Sequence, residues 1–260
     1  MPSLTPFSSS CVIVPDMEMP VLEMTYAQLP SSLHAQADVP ELPDAQIVLF
    51  NDALWQQLFA EPAEQSSLLP WLLGHTQAQP PIAQAYAGHQ FGHFTVLGDG
   101  RAFLLGEAVT PNKLRHDLHL KGIGRTPFSR RGDGNAVLGP MLREYIVSEA
   151  MQALGIPTTR SLAVITTGKQ VMRHGMQPGA ILVRTAASHV RVGTFQLAAT
   201  QGVDVLQALL NYTLARHYPD AVQTDNPALA LLQCVSAKQA ELIVAWERVG
   251  FIHGVMNTDN

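Results

Sequence analysis

A change in hydrophobic periodicity near residue 195 constrains the fold of this chain more than any other feature. From 94 to 197 the sequence consists mainly of short apolar runs that favour strands, whereas beyond 195 apolar residues recur every three or four positions, as in helices. We therefore expect an α+β chain with a strand-rich lobe, a helical lobe and a ligand cleft between them. The predicted strands are 94–97, 102–108, 117–121, 162–166, 180–184 and 192–197.

Helix signals flank and interrupt these strands. Asn51 or Asp52 can cap a short helix to 59, and one helix is predicted within the strand region, at 141–154. Two more follow, at 203–217 and from Asn226-Pro227 to about 252. Residues 1–45 are predicted to form an extended arm that wraps the domain, and prolines break the stretch from 62 to 81. The predicted domains are the arm (1–45), a strand-rich lobe (46–200) and the start of a helical lobe (201–260).

Charge is distributed very unevenly along the chain. Residues 1–100 contain ten acids and no Lys or Arg, whereas the remainder contains sixteen bases and eleven acids. Between 121 and 191, ten bases face three acids. This excess favours an anionic ligand, although a solvated basic face is an alternative. Nucleic acid is not expected, because the net charge is −5 and basic residues do not alternate with aromatic ones.

The sequence indicates a cytoplasmic chain without a membrane span. Its longest uninterrupted apolar runs are far shorter than the roughly 20 residues that a spanning helix needs. The first residues lack the basic start of a secretory signal. Cys11 and Cys234 lie far apart, so we expect two free thiols and no metal site built from cysteine pairs.

Two common phosphate-binding signatures, GxxxxGK[ST] and GxGxxG, are not matched in this sequence. The glycine pairs at 98 and 100 and at 122 and 124, each taken alone, are better explained as turns between strands. Gly98 and Gly100 nevertheless precede Arg101 and would let the backbone approach a phosphate closely.

A lysine and a glutamate occur in the order that protein kinases use. Lys121 ends an alternating strand and Glu144 lies in the next helix; in kinases such a lysine holds nucleotide phosphates and the glutamate steadies it. After a long helix comes HGVMNTDN, which keeps the kinase spacing from His253 to Asn260. Val255 stands where the catalytic aspartate would be and cannot accept a proton, which leaves Asp259 as the carboxylate of that loop. The expected fold is therefore protein-kinase-like.

Longer strings resemble a known family, the SelO (YdiU) pseudokinases, which act as protein adenylyltransferases. Similarity begins near Tyr26 and covers most of the remaining chain. The strings are YAGHQFGHF (86–94), LGDGRA (97–102), LKGIGRTPFSRRGDG (120–134), LREYIVSEAM (142–151), VRTAASHVRVGTFQ (183–196) and HGVMNTDN (253–260).

The resemblance implies a transfer of AMP from ATP to Ser, Thr or Tyr hydroxyls of proteins. ATP would bind in reversed orientation, with its α-phosphate toward the acceptor. Asp259 would be the general base and Asn260 a ligand of Mg²⁺ or Mn²⁺. Lys121, paired with Glu144, would hold the outer phosphates together with Arg184 and Arg191. The other implied nucleotide-site positions are Gly98, Gly100, Arg101, Asp133 and Gly134.

Members of this family continue well beyond the position of Asn260, to a second metal-binding aspartate. We therefore expect a piece of a longer protein, with one metal ligand of two, whose own activity is open. Alternatives are UMP transfer from UTP and a noncatalytic nucleotide-binding pseudokinase. A conventional kinase is disfavoured by Val255.

Overall fold

The computed structural model describes residues 19–90 and 92–260. Within these ranges the chain forms ten strands and six α-helices, and short 3₁₀ turns connect some of them. The strands are β1 (His34–Gln36), β2 (Gln46–Phe50), β3 (Ile82–Gln84), β4 (Ala87–Gln90), β5 (His93–Val96), β6 (Ala102–Val109), β7 (Arg115–Lys121), β8 (Ala136–Val137), β9 (Arg160–Met172) and β10 (Met176–Ala186). The helices are α1 (Asp52–Phe59), α2 (Gln65–Leu73), α3 (Leu138–Ala153), α4 (Val192–Gln201), α5 (Val203–His217) and α6 (Pro227–Arg248).

Eight of the strands form one antiparallel sheet. Its order is β1-β3-β6-β7-β10-β9-β2, with the short β8 paired to β10, while β4 and β5 form a separate hairpin. Strands β9 and β10 extend well beyond the predicted 162–166 and 180–184, because they continue pairing as a long hairpin from Thr185 opposite Arg160 to Met176 opposite Met172. The chain is thus α+β with a mostly antiparallel sheet.

The two faces of the sheet bury different helices. Alternate residues of a strand point to opposite faces, so Phe103 and Leu120 join a core with Trp55 of α1 and Trp71 of α2. On the other face, Leu182 packs with Met141 of α3. The prediction missed α2, because it treated the stretch from 62 to 81 as broken by prolines, whereas Pro70 lies inside this helix.

The described part of the predicted arm, 19–45, packs onto the domain. Tyr26 and Leu33 are buried in a core shared with Leu197 of α4 and Leu209 of α5. Strand β1 also pairs with β3, which makes this segment an edge of the main sheet. Residues 1–18, including Cys11, lie outside the described residues.

The predicted strand at 192–197 is wrong, because these residues begin helix α4. Val192, Thr194 and Phe195 favour strands individually, but Thr194 Oγ1 accepts the backbone N–H of Arg191 at 3.0 Å and so helps to start the helix. Leu197 and Ala198 then bury against the core. The helical region therefore begins at 192.

The remaining predicted helices are confirmed, and two of them have altered ends. The bounds of α5 match the prediction, α3 starts three residues early at Leu138, and α6 ends at Arg248 and not near 252. By length and composition alone α6 could cross a membrane, which for a single helix is weak evidence. The absence of a membrane span therefore stays a prediction.

Candidate active site

One face of β7 carries a stripe of polar side chains in the middle of the sheet. Leu118 and Leu120 point into the apolar core, so Asp117, His119 and Lys121 all point to the opposite face. In the antiparallel register Arg184 of β10 lies opposite His119. The alternation of β7 and its pairing with β10 therefore place these three residues and Arg184 on one face of the sheet, the face that α3 to α5 cover.

Lys121, Glu144 and Arg184 form a compact charged cluster. Lys121 Nζ lies 2.5 Å from Glu144 Oε2, and Arg184 Nη1 lies 3.2 Å from Glu144 Oε1. Burial and the nearby guanidiniums of Arg184 and Arg101 lower the pKa of Lys121, with Glu144 opposing. Burial would raise the pKa of Glu144, but the cations Lys121 and Arg184 lower it overall. One carboxylate thus faces more positive charge than it can neutralise.

Arg191 lies next to this cluster at the start of α4. Its guanidinium stands 4.2 Å from the centre of the Tyr86 ring, and Nη2 is 3.7 Å from Asp99 Oδ1. Burial raises the pKa of Tyr86 to about 12, with Arg191 opposing and Asp99 and Asp259 adding to the rise. Tyr86 and Asp99 were not predicted as site residues, although both lie in the strings that carried the family resemblance.

The glycines before Arg101 are required by the packing of the segment 98–100. Gly98 has φ +146°, and a Cβ there would lie 2.5 Å from the Phe128 ring. Thr126 Oγ1 donates to the carbonyl of Asp99 at 2.6 Å and Ser129 Oγ to that of Gly100 at 2.5 Å. The turn 126–129 therefore clamps the segment 98–100 from outside.

Asp133 and Gly134 lie on the loop that carries this clamp. Asp133 is exposed and forms a two-pronged pair with Arg173, with both N–O distances 2.9 Å. The hydrogen bonds from Arg173 lower the pKa of Asp133 to about 2. Gly134 has φ +72° and lies against the backbone of Gly124. Among the described residues, no hydrogen bond or ion pair joins Asp133 to the Lys121–Glu144–Arg184 cluster.

Asp259 is held over the β4–β5 hairpin. A Cβ at Gly88 would come within 2.8 Å of Asp259 Oδ1, and that oxygen is buried without a hydrogen-bond partner in the described structure. The preceding Thr258 accepts the Gly193 N–H at 2.6 Å through its carbonyl. Asp259 is thus fixed by contacts to the hairpin and to α4.

Asn260 is turned differently from its neighbour. Its side-chain amide donates to the carbonyls of Val255 at 3.1 Å and Asn257 at 3.4 Å, and the residue is exposed. Within residues 19–90 and 92–260 no group of three or more His, Cys, Asp or Glu side chains could hold a metal ion.

An apolar groove of about 670 Å³ adjoins the site between α4, α5 and α6. Leu206, Leu210 and Leu231 line it, while Arg191 and Asn260 contribute to its wall. The sequence did not predict this groove, because each of its walls looks like an ordinary amphipathic helix face.

The buried histidines make stability depend on pH. Burial lowers the pKa of His119 to about 3, and also lowers the pKa of His189. Below about pH 6.5 the unfolded chain binds protons at these histidines that the folded chain does not bind, so the free energy of unfolding should fall as the pH falls, by up to about 1.4 kcal/mol per pH unit for His119. Urea denaturation from pH 7 to pH 4.5 measures this slope. Replacing His119 with Gln should reduce the slope, whereas replacing the exposed His89 with Gln should not; a flat profile would contradict the expectation.

Comparison with known proteins identifies the family of this chain. A family model described as "Protein adenylyltransferase SelO" matches residues 20–260. A protein named "Protein nucleotidyltransferase YdiU" from Halalkalibacterium halodurans is 57% identical over 241 residues, covering 90% of this chain and 49% of its own length. Proteins of the same name from Bacillus mycoides and Syntrophotalea carbinolica are 54% and 56% identical, covering 92% and 91% of this chain and 50% and 49% of their own lengths. The chain spans about half the length of the curated relatives it matches, and it belongs to the SelO family.

Proposed function

We propose that this chain carries the nucleotide-binding part of a protein nucleotidyltransferase that transfers AMP from ATP to Ser, Thr or Tyr hydroxyls of proteins. The observation that carries the proposal is the cluster in which Lys121 and Arg184 share the single carboxylate of Glu144. Arg101 adds positive charge nearby, and Arg191, which lies 3.7 Å from Asp99, provides a second guanidinium beside the cluster. A triphosphate supplies the negative charge that this cluster lacks.

The proposed fold is protein-kinase-like. A strand lysine paired with a glutamate of the following helix, then a helical region that ends in a loop with Asp259 and Asn260, is the kinase order. The loop departs from kinases at Val255, which is exposed and has no proton-accepting group. These features support a nucleotide held by kinase-like parts and a different catalytic base.

In the proposed reaction the acceptor oxygen attacks the α-phosphorus. The new O–P bond forms as the bond between the α-phosphorus and the α,β-bridging oxygen breaks, and pyrophosphate leaves with that electron pair. Asp259 accepts the hydroxyl proton; its Oδ1 has no hydrogen-bond partner in the described structure. Lys121, Arg184 and Arg191 bind the outer phosphates and stabilise the charge that develops on the leaving group.

The residues present fit a divalent ion that also binds the nucleotide. The amide nitrogen of Asn260 donates to the carbonyls of Val255 and Asn257, which leaves its amide oxygen as a hard ligand of the kind that Mg²⁺ or Mn²⁺ prefers; Mg²⁺ is commonly held by one or two such groups plus substrate phosphates. When bound, the ion would neutralise phosphate charge. Asn260 is the proposed ligand from this chain.

Transfer from α-labelled and γ-labelled ATP to a mixture of acceptor proteins tests the proposal. We expect protein labelling from α-labelled ATP only, and a large loss in Lys121→Ala. The exposed Lys169 of β9 provides the matched control, since Lys169→Ala removes the same charge outside the site. Labelling from the γ position would indicate a conventional kinase, and equal labelling by Lys121→Ala would remove Lys121 from the mechanism.

Two alternatives have outcomes of their own. Stronger labelling from α-labelled UTP than from ATP would indicate uridylyl transfer, since no contact described above selects a base. Calorimetric binding of ATP without any adduct would indicate a noncatalytic nucleotide-binding module. A cytoplasmic location and the absence of nucleic-acid partners stay predictions.

A further inference from the structure

A hydrogen-bonded chain runs behind Arg184 through a fully buried histidine. His119 Nε2 lies 3.0 Å from Asp99 Oδ2, and Arg184 Nε lies 3.2 Å from His119 Nδ1. Arg184 Nη1 in turn donates to Glu144 Oε1 at 3.2 Å. His119 and Asp99 have almost no solvent exposure, so bulk water does not compete for their hydrogen bond.

The chemistry of these groups determines the direction of each bond. A guanidinium N–H can only donate, so His119 Nδ1 accepts the Nε–H of Arg184. The imidazole proton therefore lies on Nε2 and donates to the carboxylate of Asp99. His189 stacks on the face of the His119 ring, with centroids 4.2 Å apart and planes at 18°. Asp99 thus sets the tautomer that Arg184 requires.

We propose that His119, oriented by Asp99, is a positioning residue that fixes the guanidinium of Arg184 for the nucleotide phosphates. This inference rests on the proposed function. With Nε bonded to His119 and one N–H of Nη1 to Glu144, three of the five guanidinium N–H groups are left for a ligand. An arginine held in place before binding loses less side-chain entropy when the phosphate arrives.

Two substitutions of His119 separate its two hydrogen bonds. His119→Asn keeps an acceptor near the position of Nδ1, for Arg184, but loses the bond to Asp99. His119→Gln keeps a donor near the position of Nε2, for Asp99, but loses the acceptor for Arg184. We expect ATP affinity, measured by calorimetry, to stay within about threefold of the original in the Asn variant and to fall by about tenfold in the Gln variant.

A purely structural role of His119 would not produce this pattern. Both substitutions disturb the core, so urea midpoints of the two variants should fall by similar amounts while their ATP affinities differ. In an Arg184→Lys background the guanidinium Nε–H is gone, and the Asn and Gln variants should bind ATP equally. Equal affinities of the two variants in the original background, or a Gln penalty that persists in the Arg184→Lys background, would overturn the inference.

A measurement on the unsubstituted protein avoids any folding defect of the variants. ¹⁵N NMR of the His119 imidazole should show a protonated Nε2 and an unprotonated Nδ1 near neutral pH; the opposite tautomer overturns the inference. Arg184→Lys and Lys121→Ala separate this inference from the proposed function. If neither Arg184→Lys nor Lys121→Ala changes ATP affinity, the nucleotide assignment fails and the inference fails with it. If both substitutions weaken ATP binding but His119→Gln does not, the inference alone is overturned.

Discussion

Replacing Arg216 with alanine should lower the free energy of unfolding by about 3–5 kcal/mol. The guanidinium of this α5 residue is almost fully buried and lies 2.6 Å from Asp117 Oδ1 and 3.3 Å from Glu107 Oε2. Both carboxylates are also buried, one on β7 and one on β6. Removing the cation leaves two buried negative charges with less compensation, and such a loss is a large share of the stability of an ordinary domain. Urea denaturation at pH 7 measures the change.

A matched control separates the effect of burial from that of losing any arginine. Arg173 forms an equally well-aligned pair with Asp133, but both side chains are substantially exposed. Arg173→Ala should therefore cost about 1 kcal/mol or less. Similar losses of unfolding free energy in both variants would mean that burial of the Arg216 ion pairs does not increase their contribution to stability, which would contradict the prediction.

Replacing Gly193 with alanine should reduce transfer by about 100-fold or more, because it displaces the loop that carries Asp259. A Cβ at this position would overlap the carbonyl oxygen of Ala87 and lie 2.8 Å from that of Thr258. Both atoms belong to backbone that cannot rotate away. The Gly193 N–H also holds Thr258 at 2.6 Å, so relief of the clash moves the loop. Initial rates of label transfer from α-labelled ATP measure the loss.

Gly139, near the start of α3, is the matched control for this substitution. Apart from its chain neighbours, a Cβ there would meet the flexible end of Arg143, at 3.8 Å. Gly139→Ala should leave transfer unchanged, because this added Cβ displaces no backbone of the loop that carries Asp259. A Gly193→Ala protein that transfers at nearly the original rate would show that the loop does not depend on this close approach.

Regular periodicity and capping residues made much of the fold predictable. Helix α5 has apolar residues at helical spacing, and Asn51 caps α1 by accepting the Leu54 N–H at 3.0 Å. The alternation in β7 predicted a strand, and it also placed Lys121 on the polar face. The pairing of Lys121 with Glu144 followed from the order of a strand and the next helix, and the structure brings the two together.

Features that depend on contacts between distant segments could not be predicted. The residues 192–197 have the composition of a strand, but burial of Leu197 and Ala198 against the arm and α5 makes them helical. The Asp99–His119–Arg184 chain joins residues 20 and 65 positions apart, which no local pattern reveals. The resemblance implied a nucleotide-site position for Asp133, and its pairing with Arg173, in the turn between β9 and β10, is another contact that no local pattern predicts.

The central position of β10 in the sheet has a consequence for how the site opens. This strand is paired on both edges, to β7 and to β9, and its residues from Ala180 to Val183 are completely buried. Its amide hydrogens therefore belong to the part of the fold that exchanges last with solvent. The segment 252–257 is exposed and lacks regular secondary structure, which places it among the parts that open with little cost. Arg184 thus belongs to the slowest-exchanging strand, whereas the stretch 252–257, just before the anchored Thr258 and Asp259, can open and close without unfolding the sheet.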